Sequence, residues 1–254
     1  MVMNVSRVDW SRINRLSAGM LNHYMYAEIH GYDYKFIRGV NYNDRHGTWV
    51  KPAAIAQVLP EYDFVVFLDA DAIFPHLEIP IEWLLNYWRI SPQISAALAL
   101  DPPLKVNDDV HGHTMLNTGF VIFQNNEKTR EIVKDWEECP TDTKYPTCSN
   151  WTYKWAHEQS AFSNFIRYDH PENVMELPCA EANGAPQAKH MGGCTGTFVQ
   201  HFWVNKDLVP SMVAKSIMNV LMDRLHGQYL DNVKEIYVEG SNATYSIAAS
   251  KELD

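Results

Sequence analysis

Short apolar runs alternate along this chain with segments in which apolar residues recur every three or four positions. The recurring pattern is typical of helices, and it covers residues 11–30, 52–59, 81–88, 127–136, 156–165 and 209–225. The short runs are rich in β-branched and aromatic residues, and they predict strands at residues 34–38, 64–68, 95–100, 115–123, 174–177 and 198–203. Because strands and helices alternate, we predict an α/β fold with a mostly parallel central sheet flanked by helices.

The sequence Asp69-Ala70-Asp71 directly follows the apolar run at residues 64–68. Ligands of parallel sheets bind at the carboxyl ends of strands, and residues two apart on an extended backbone point to one side. Two adjacent carboxylates favour a hard divalent cation, Mn²⁺ or Mg²⁺. The alternative is an Asp-rich turn, but unpaired carboxylates beside an apolar core are unfavourable.

Composition narrows the possible functions. The chain has 254 residues, of which 46% are hydrophobic, and a formal charge of −10. This length predicts one domain over residues 1–254, with a polar, weakly patterned extension from residue 226. A negative charge without a long basic run argues against a general nucleic-acid binder. No apolar run is long enough to span a membrane and no signal peptide opens the chain, so we expect any anchor or targeting segment to lie upstream.

The cysteines predict a pairing. Cys139 and Cys148 flank one Pro-rich loop, and Cys179 and Cys194 flank a Gly-rich one. No C-x-x-C motif is present, which argues against zinc. Of the connectivities open to these residues, we predict the two local disulfides, 139 with 148 and 179 with 194. Together with sequons beginning at Asn4, Asn150 and Asn242, they favour the lumen of the secretory pathway.

Three further polar groups lie at the ends of predicted elements. Asn117-Thr118-Gly119 precedes a buried strand, Glu158-Gln159 opens a helix, and His201 in the last strand is followed by Lys206. Each has a simpler explanation: a turn, a favourable acidic residue at a helix start, a packed histidine or a solvated lysine. Beside two carboxylates, however, His201 is also suited to be a third metal ligand.

In this order and spacing, the motifs resemble the GT-A glycosyltransferases, most closely glycosyltransferase family 34. That family contains fungal galactosyl- and mannosyltransferases and plant xyloglucan xylosyltransferases. The resemblance implies the Rossmann-like GT-A fold of nucleotide-diphospho-sugar transferases. It lies between about residues 24 and 206, in the segments YAEIHGYDYKFIRG, TWVKPAAIAQVLPEYDFVVFLDADAIF, LNTGFVIFQNN, HEQSAF and VQHFWVNK.

The resemblance implies a metal site and a phosphate site. Asp69 and Asp71 correspond to the D-x-D pair that holds Mn²⁺ (or Mg²⁺) and, through it, the diphosphate of a nucleotide sugar. His201 corresponds to the third protein ligand. Lys206 corresponds to the cation that neutralises the leaving diphosphate, where negative charge develops as the sugar–phosphate bond breaks.

The resemblance also implies residues for the two sugars. Lys51 corresponds to a lysine that contacts phosphate or sugar. Asn117, in the turn with Thr118 and Gly119, corresponds to a residue that hydrogen-bonds donor or acceptor hydroxyls. Glu158 and Gln159 correspond to the family's Asp-Gln pair near the reacting carbon.

Two features depart from the family pattern. Members usually carry a strand before the helix at residues 11–30, which helps to hold the nucleotide base, and we expect this chain to lack that strand. The family often has Gly and Cys after the His-Phe pair, where this chain has Trp203 and Val204. The bulkier side chains predict a different pocket near the sugar.

Three functions compete. The leading hypothesis is a metal-dependent retaining glycosyltransferase that moves galactose, mannose or xylose from a UDP- or GDP-sugar to a glycan acceptor in the Golgi. The alternative is a catalytically weak or inactive carbohydrate-binding scaffold on the same fold. A metal-dependent hydrolase is the third, but the chain lacks the further carboxylate cluster of a two-metal site. The donor sugar, its base, the acceptor and the oligomeric state stay open, because pocket shape decides between similar sugars.

Overall fold

The computed structural model describes residues 12–37, 39 and 42–237. Within these residues the strands are Phe64–Leu68 (β1), Ala72–Ile73 (β2), Ala96–Leu100 (β3), Leu116–Gln124 (β4), Val174–Leu177 (β5) and Gln200–His201 (β6). The helices are Arg15–His30 (α1), Val50–Val58 (α2), Ile81–Tyr87 (α3), Glu127–Glu138 (α4), Glu158–Ala161 (α5), Arg167–Asp169 (α6), Cys179–Ala182 (α7) and Val209–Ile236 (α8).

The central sheet of the described residues is mixed and has the strand order β1-β4-β3-β5. Strand β4 pairs antiparallel with both β1 and β3, and β3 pairs parallel with β5. The α/β class is confirmed, but the sheet is less parallel than predicted. A continuous apolar run shows only that both faces of a strand are covered, and antiparallel strands need no helical crossover between them.

The main core surrounds β4, whose residues from Leu116 to Phe123 are all buried. Helices α2 and α4 pack on this sheet, and Trp49 and Trp136 are the largest side chains buried there. Helix α4 begins at an Asn126 cap, whose side chain accepts the Thr129 backbone N–H. Burial of these large apolar side chains, at about 25 cal/mol per Å², fixes the sheet from which the candidate site projects.

Helix α1 fixes the turn that contains the two aspartates. Gly19 lies directly against the carbonyl oxygen of Ala70, so that an added Cβ would overlap that oxygen. The Asn22 side chain pairs with both backbone groups of Phe74, at 2.8 and 2.9 Å. His23 Nε2 donates to the Ala72 carbonyl oxygen over 2.6 Å. One helix face therefore packs against Ala70 and supplies hydrogen-bond partners to Ala72 and Phe74.

A small second sheet brings distant residues together. Strands β2 and β6 pair antiparallel, with Ala72 opposite His201. The Phe202 N–H donates to the Asp71 carbonyl oxygen over 2.8 Å. This pairing spans about half of the chain and places the second aspartate beside the histidine.

Several predicted boundaries differ from the structure. The described residues at 34–37 do not form a strand. The last strand is limited to β6, because the residues just before it hydrogen-bond to the carbonyl oxygens of Ala180 and Glu181 instead of to a strand. The helix predicted at 156–165 begins with α5 and continues as the π-helical segment Phe162–Ile166 into α6. The strand expected to be missing would precede α1, where residues 1–11 are outside the described part.

The chain divides into two compact units, Met1–Ile217 and Met218–Asp254. In the first unit, Val209 and Val213 at the start of α8 are buried. In the second, α8 continues to Ile236 with mostly exposed side chains. Helix α8 is thus longer than predicted, and the extension predicted from residue 226 is helical as far as it is described. No described helix has both the length and the apolar character that a membrane span requires.

Both predicted disulfides are confirmed. Cys139 is bonded to Cys148, and Cys179 to Cys194. The first closes the loop after α4, and the second connects α7 to the segment that leads into β6. Cross-links of this kind stabilise mainly by restricting the unfolded chain. Here they stabilise irregular segments that have few hydrogen bonds of regular secondary structure.

His23 predicts a specific pH dependence of stability. Burial lowers the pKa of His23 from 6.5 to about 4, so the unfolded chain binds its proton first as the pH falls. The free energy of unfolding should therefore decrease between pH 6.5 and pH 4, by up to about 3 kcal/mol from this group. His23→Gln keeps a donor for Ala72 but does not titrate, and should lose less stability over this range in urea unfolding. Equal pH dependence of the two proteins would contradict this role.

Candidate functional site

The structure brings Asp69, Asp71 and His201 into one cluster. One ligand atom from each side chain lies within 4.8 Å of the others. The Asp69 N–H donates to the Gly119 carbonyl oxygen over 2.8 Å, which extends the β1–β4 ladder beyond β1. Asp71 and His201 are buried, whereas Asp69 is half-buried. The cluster thus lies at the carboxyl end of β1, with ligand atoms of the kinds that hold a divalent metal ion.

Lys206 lies on the exposed side of this cluster. Its Nζ is 2.7 Å from Asp71 Oδ2, and half of its side chain is exposed. Burial opposes ionisation of the Asp71 carboxyl, but His201 and Lys206 outweigh it and hold its pKa well below the usual range. Asp71 is consequently ionised at neutral pH, and Lys206 is accessible to an anionic ligand.

The His201 ring has a defined orientation. Its Nδ1 lies 3.2 Å from the Asn183 side-chain oxygen, which can only accept, so Nδ1 carries the proton. Nε2 is then the ring nitrogen that faces the cluster, and it lies 3.6 Å from Asp71 Oδ1. A hydrogen-bonded partner that fixes the ring and tautomer is typical of metal-ligating histidines.

Gly119 makes room for this imidazole. An added Cβ would overlap the His201 Cε1 atom and lie 2.9 Å from Asn117 Oδ1. The Asn117 side-chain oxygen accepts the Gly119 N–H over 2.8 Å. Because Gly119 has no side chain, β4 can lie directly against the His201 ring.

Lys51 is buried between two carboxylates. Its Nζ is 3.0 Å from Asp69 Oδ2 and 3.0 Å from Glu158 Oε1. Burial would lower the pKa of Lys51, but Asp69 and Glu158 raise it above its ordinary value. Lys51 is therefore charged, and it fixes the Asp69 side chain from the protein interior.

Glu158 lies behind Lys51 and is 2% exposed. Its Oε1 also accepts the Thr118 hydroxyl over 3.2 Å. Burial raises the pKa of Glu158, but Lys51 and a hydrogen bond from Thr48 lower it by more. The predicted pair Glu158-Gln159 thus joins the site from α5, with Glu158 in contact with Lys51.

A third carboxylate, Asp101, organises the amides of the site. Its oxygens accept from Asn117 at 2.9 Å, from Gln159 at 2.7 Å and from Asn183 at 3.3 Å. The Gln159 oxygen accepts the Thr118 backbone N–H over 3.2 Å. Burial raises the pKa of Asp101. Three side chains from different parts of the chain are held in place by this one group.

Sequence reasoning missed Asp101 and Asn183. Both lie in segments that were predicted only as loops, and neither belongs to a recognisable spacing. The available signal for Asp101 was its position directly after β3, where a strand-end carboxylate is unusual beside an apolar run. Asn183 had no such signal, because its role depends on the fold of the segment closed by the second disulfide.

A second acidic and imidazole cluster contains Glu131, Asp135 and His170. Its Asp135 is already paired with the Lys144 ammonium, which also pairs with Asp169 outside the cluster, and Glu131 pairs with Lys128. Tyr145 donates to Asp169 over 2.7 Å. These contacts satisfy the carboxylates internally and hold the loop of the first disulfide, so this cluster is structural.

The mixed sheet and its flanking helices form a GT-A fold. The structure is similar to that of a glycosyltransferase involved in glycosylation of the major capsid of PBCV-1, with a TM-score of 0.59 and 15% sequence identity. The similarity covers 80% of this chain and 92% of that chain. Mouse xyloside xylosyltransferase 1 in its apo form has 14% identity over 61% of this chain and 63% of its own, with a TM-score of only 0.39. No curated protein matches the chain.

A sequence model described as the galactosyl transferase GMA12/MNN10 family matches residues 2–202. The chain belongs to this family, glycosyltransferase family 34, and is a glycosyltransferase. Its reaction therefore involves a sugar donor and a glycan acceptor. Enzymes with the GT-A fold use nucleotide sugars and usually a divalent metal, and the cluster of Asp69, Asp71 and His201 is a possible site for such an ion.

Gly119→Ala tests the close contact with His201. The new methyl group would force the imidazole or β4 to move, and overpacking of this kind usually lowers the free energy of unfolding by about 1–3 kcal/mol. Gly47→Ala is the matched control, because an added Cβ there meets no atom within 4 Å. Urea unfolding should show a clear loss for Gly119→Ala and little change for the control. Similar values for both would contradict the tight packing.

Proposed function

We propose that this glycosyltransferase transfers a hexose or pentose, such as galactose, mannose or xylose, from a UDP- or GDP-sugar to a glycan hydroxyl with retention of configuration. The observation that carries the proposal is the cluster of Asp69, Asp71 and His201, whose ligand atoms lie within 4.8 Å of one another. Lys206, on the exposed side of Asp71, adds a cation where a diphosphate would bind.

The donor set fits Mn²⁺ or Mg²⁺. Two carboxylates supply hard oxygen ligands, and His201 offers Nε2 because Nδ1 is bonded to Asn183. Asp71 is ionised, as a ligand must be. When bound, the ion would supply Lewis-acid stabilisation of the negative charge that develops on the diphosphate. Lys51 holds Asp69 in its ligating orientation from behind, and contact of Lys51 with phosphate or sugar remains part of the proposal.

The leaving diphosphate gains charge as the sugar–phosphate bond breaks. The Lys206 ammonium can pair with its oxygens, because half of the Lys206 side chain is exposed. Charged donors that are in place before the reaction stabilise the transition state more than the ground state. Lys206 therefore contributes to the rate of bond cleavage and not only to binding.

Retention is favoured because two buried carboxylates of the site are already paired. Asp101 accepts from three amides, and Glu158 is bound to Lys51 and Thr118. An inverting enzyme needs a base on the face opposite the leaving group. Here the acceptor hydroxyl attacks on the face from which the diphosphate leaves, and a phosphate oxygen takes its proton.

We infer that Gln159 and Asn117 contact the sugars. The Gln159 oxygen uses one of its two acceptor positions for the Thr118 N–H and retains the other for the cationic sugar. Both amides are oriented by Asp101, so they need not reorganise as charge develops. Glu158 is connected to Gln159 through Thr118, which bonds to both side chains. In this proposal Glu158 orients the donor hydroxyls through these contacts.

Two features support a location in the lumen of the Golgi. The structure contains two disulfides, which persist in oxidising compartments. Asn150, the first residue of an Asn-Trp-Thr sequon, is exposed and accessible to glycosylation.

Asp71→Ala tests the metal site. Thermal unfolding of the wild type should shift upward with UDP or GDP only when Mn²⁺ is present, because a ligand that binds the native state stabilises it. The variant should lose this shift while it remains folded. Asp207→Ala is the matched control, because it removes an exposed carboxylate beside Lys206, which among the described residues pairs with Arg15 over 3.6 Å. A metal-dependent shift that persists in Asp71→Ala would overturn the assignment, and none in the wild type would favour a scaffold.

The anomeric configuration of the product tests the mechanism. With an α-linked nucleotide sugar, the first-formed glycoside should be α-linked, as read from proton NMR coupling of the anomeric proton early in the reaction. A β-linked product would show inversion and would require a base among the groups that we describe as already paired. The metal site could then still be correct, because it serves the leaving group in either mechanism.

A further inference from the structure

Two large aromatic side chains stack on each other at the exposed surface of helix α3. Trp83 and Tyr87, one helical turn apart, stack at 13° with ring centroids separated by 5.1 Å. Their exposed fractions are 46% and 47%. Exposed aromatic side chains that stack on each other and still face solvent are unfavourable unless a ligand covers them.

A third ring holds this pair in place. Phe198 meets Trp83 edge-on at 5.6 Å and Tyr87 at 5.1 Å. It also meets the buried Trp88 at 5.9 Å. We call Trp83, Tyr87 and Phe198 the aromatic platform. Because its rings are fixed by edge-to-face contacts, the platform is rigid before any ligand arrives.

A carboxylate borders the platform. Glu181 accepts the Tyr87 hydroxyl over 3.1 Å and the Trp88 indole N–H over 2.7 Å. A carboxylate has about four acceptor positions, and these two bonds leave others for further donors. Glu181 therefore offers hydrogen-bond acceptors, and a negative charge, at the edge of the platform.

The platform is connected to the candidate site through α7. Glu181 belongs to this helix, and Asn183, two residues later, contacts both Asp101 and His201. The two Cα atoms are thus separated by at most about 7 Å. The disulfide of Cys179 anchors the same helix to the segment before β6. Glu181, at the border of the platform, is therefore a near neighbour of a residue of the candidate site.

We propose that the aromatic platform binds a neutral pyranose ring of an extended glycan acceptor. The C–H face of a pyranose is weakly positive and fits the negative face of an aromatic ring, while its hydroxyls can donate to Glu181. The carboxylate disfavours phosphorylated or sulfated ligands by charge. The assignment to an acceptor rests on the proposed function, whereas binding of a neutral saccharide can be measured without it.

The test is ligand-observed NMR titration of the full chain with cellotetraose, maltotetraose, mannotetraose and galactotetraose, in the absence of metal and nucleotide. At least one of them should bind, and Trp83→Ala should raise its Kd about tenfold. Tyr229→Ala is the matched control, because it removes an aromatic side chain that is 55% exposed elsewhere. Tyr87→Phe keeps the ring and should retain most of the binding.

Three outcomes would overturn the proposal: no tetrasaccharide binds, Trp83→Ala binds as tightly as the wild type, or the control loses as much affinity as Trp83→Ala. Binding of a sulfated heparin tetrasaccharide through Trp83 would overturn the neutral-ligand assignment. Saccharide binding is measured without metal and nucleotide, so its outcome does not depend on the proposed metal site. A wild type that binds saccharide but shows no metal-dependent nucleotide binding would therefore contradict the proposed metal site and leave the platform intact.

Discussion

The arrangement of this site depends on the hydrogen bonds of one buried carboxylate, Asp101. The donors to this carboxylate are neutral amides. Asp101 is 6% exposed and is satisfied by the amides of Asn117, Gln159 and Asn183. Removing any donor would leave a buried charge undersolvated, at a cost of about 1–3 kcal/mol or more. The three amides must therefore converge for the fold to be stable. Their orientation, including that of Asn183 toward His201, is thus a consequence of folding.

The other charged side chains of the site form series in which carboxylates and lysines alternate. Glu158, Lys51 and Asp69 form one series, and Asp71 with Lys206 forms another. The first series is mainly buried and holds a ligating carboxylate in position. The second ends at an exposed ammonium, so its positive charge is available to a ligand. Burial thus distinguishes Lys51, which is held between two carboxylates, from Lys206, whose side chain is half exposed. The sequence alone allows either lysine to be a surface residue.

Local patterns predicted those parts of the structure that depend on nearby residues. The run at 64–68, the D-x-D pair and the two short disulfide loops could be predicted because neighbours in sequence determine them. Strand direction could not, because an apolar run buried on both faces has the same composition whether its neighbours are parallel or antiparallel. Asp101 and Asn183 could not either, since their partners are separated from them by as many as 82 positions. The family resemblance supplied His201 and Lys206, which spacing alone left as ordinary residues.

Trp203 shows how a departure from the family pattern can preserve a site. A bulky residue after the His-Phe pair predicted a changed sugar pocket. In the structure the Trp203 indole N–H donates to the Asn183 oxygen over 3.1 Å, the same oxygen that receives Nδ1–H of His201. A glycine at this position has no side-chain donor. The indole therefore helps to fix the amide that fixes the imidazole, and its bulk lies against the disulfide of Cys194 and its neighbours. Trp203 therefore adds a second hydrogen bond to the Asn183 oxygen that orients the His201 ring. Hydrogen-bond partners of this kind fix the ring orientation and tautomer of metal-binding histidines.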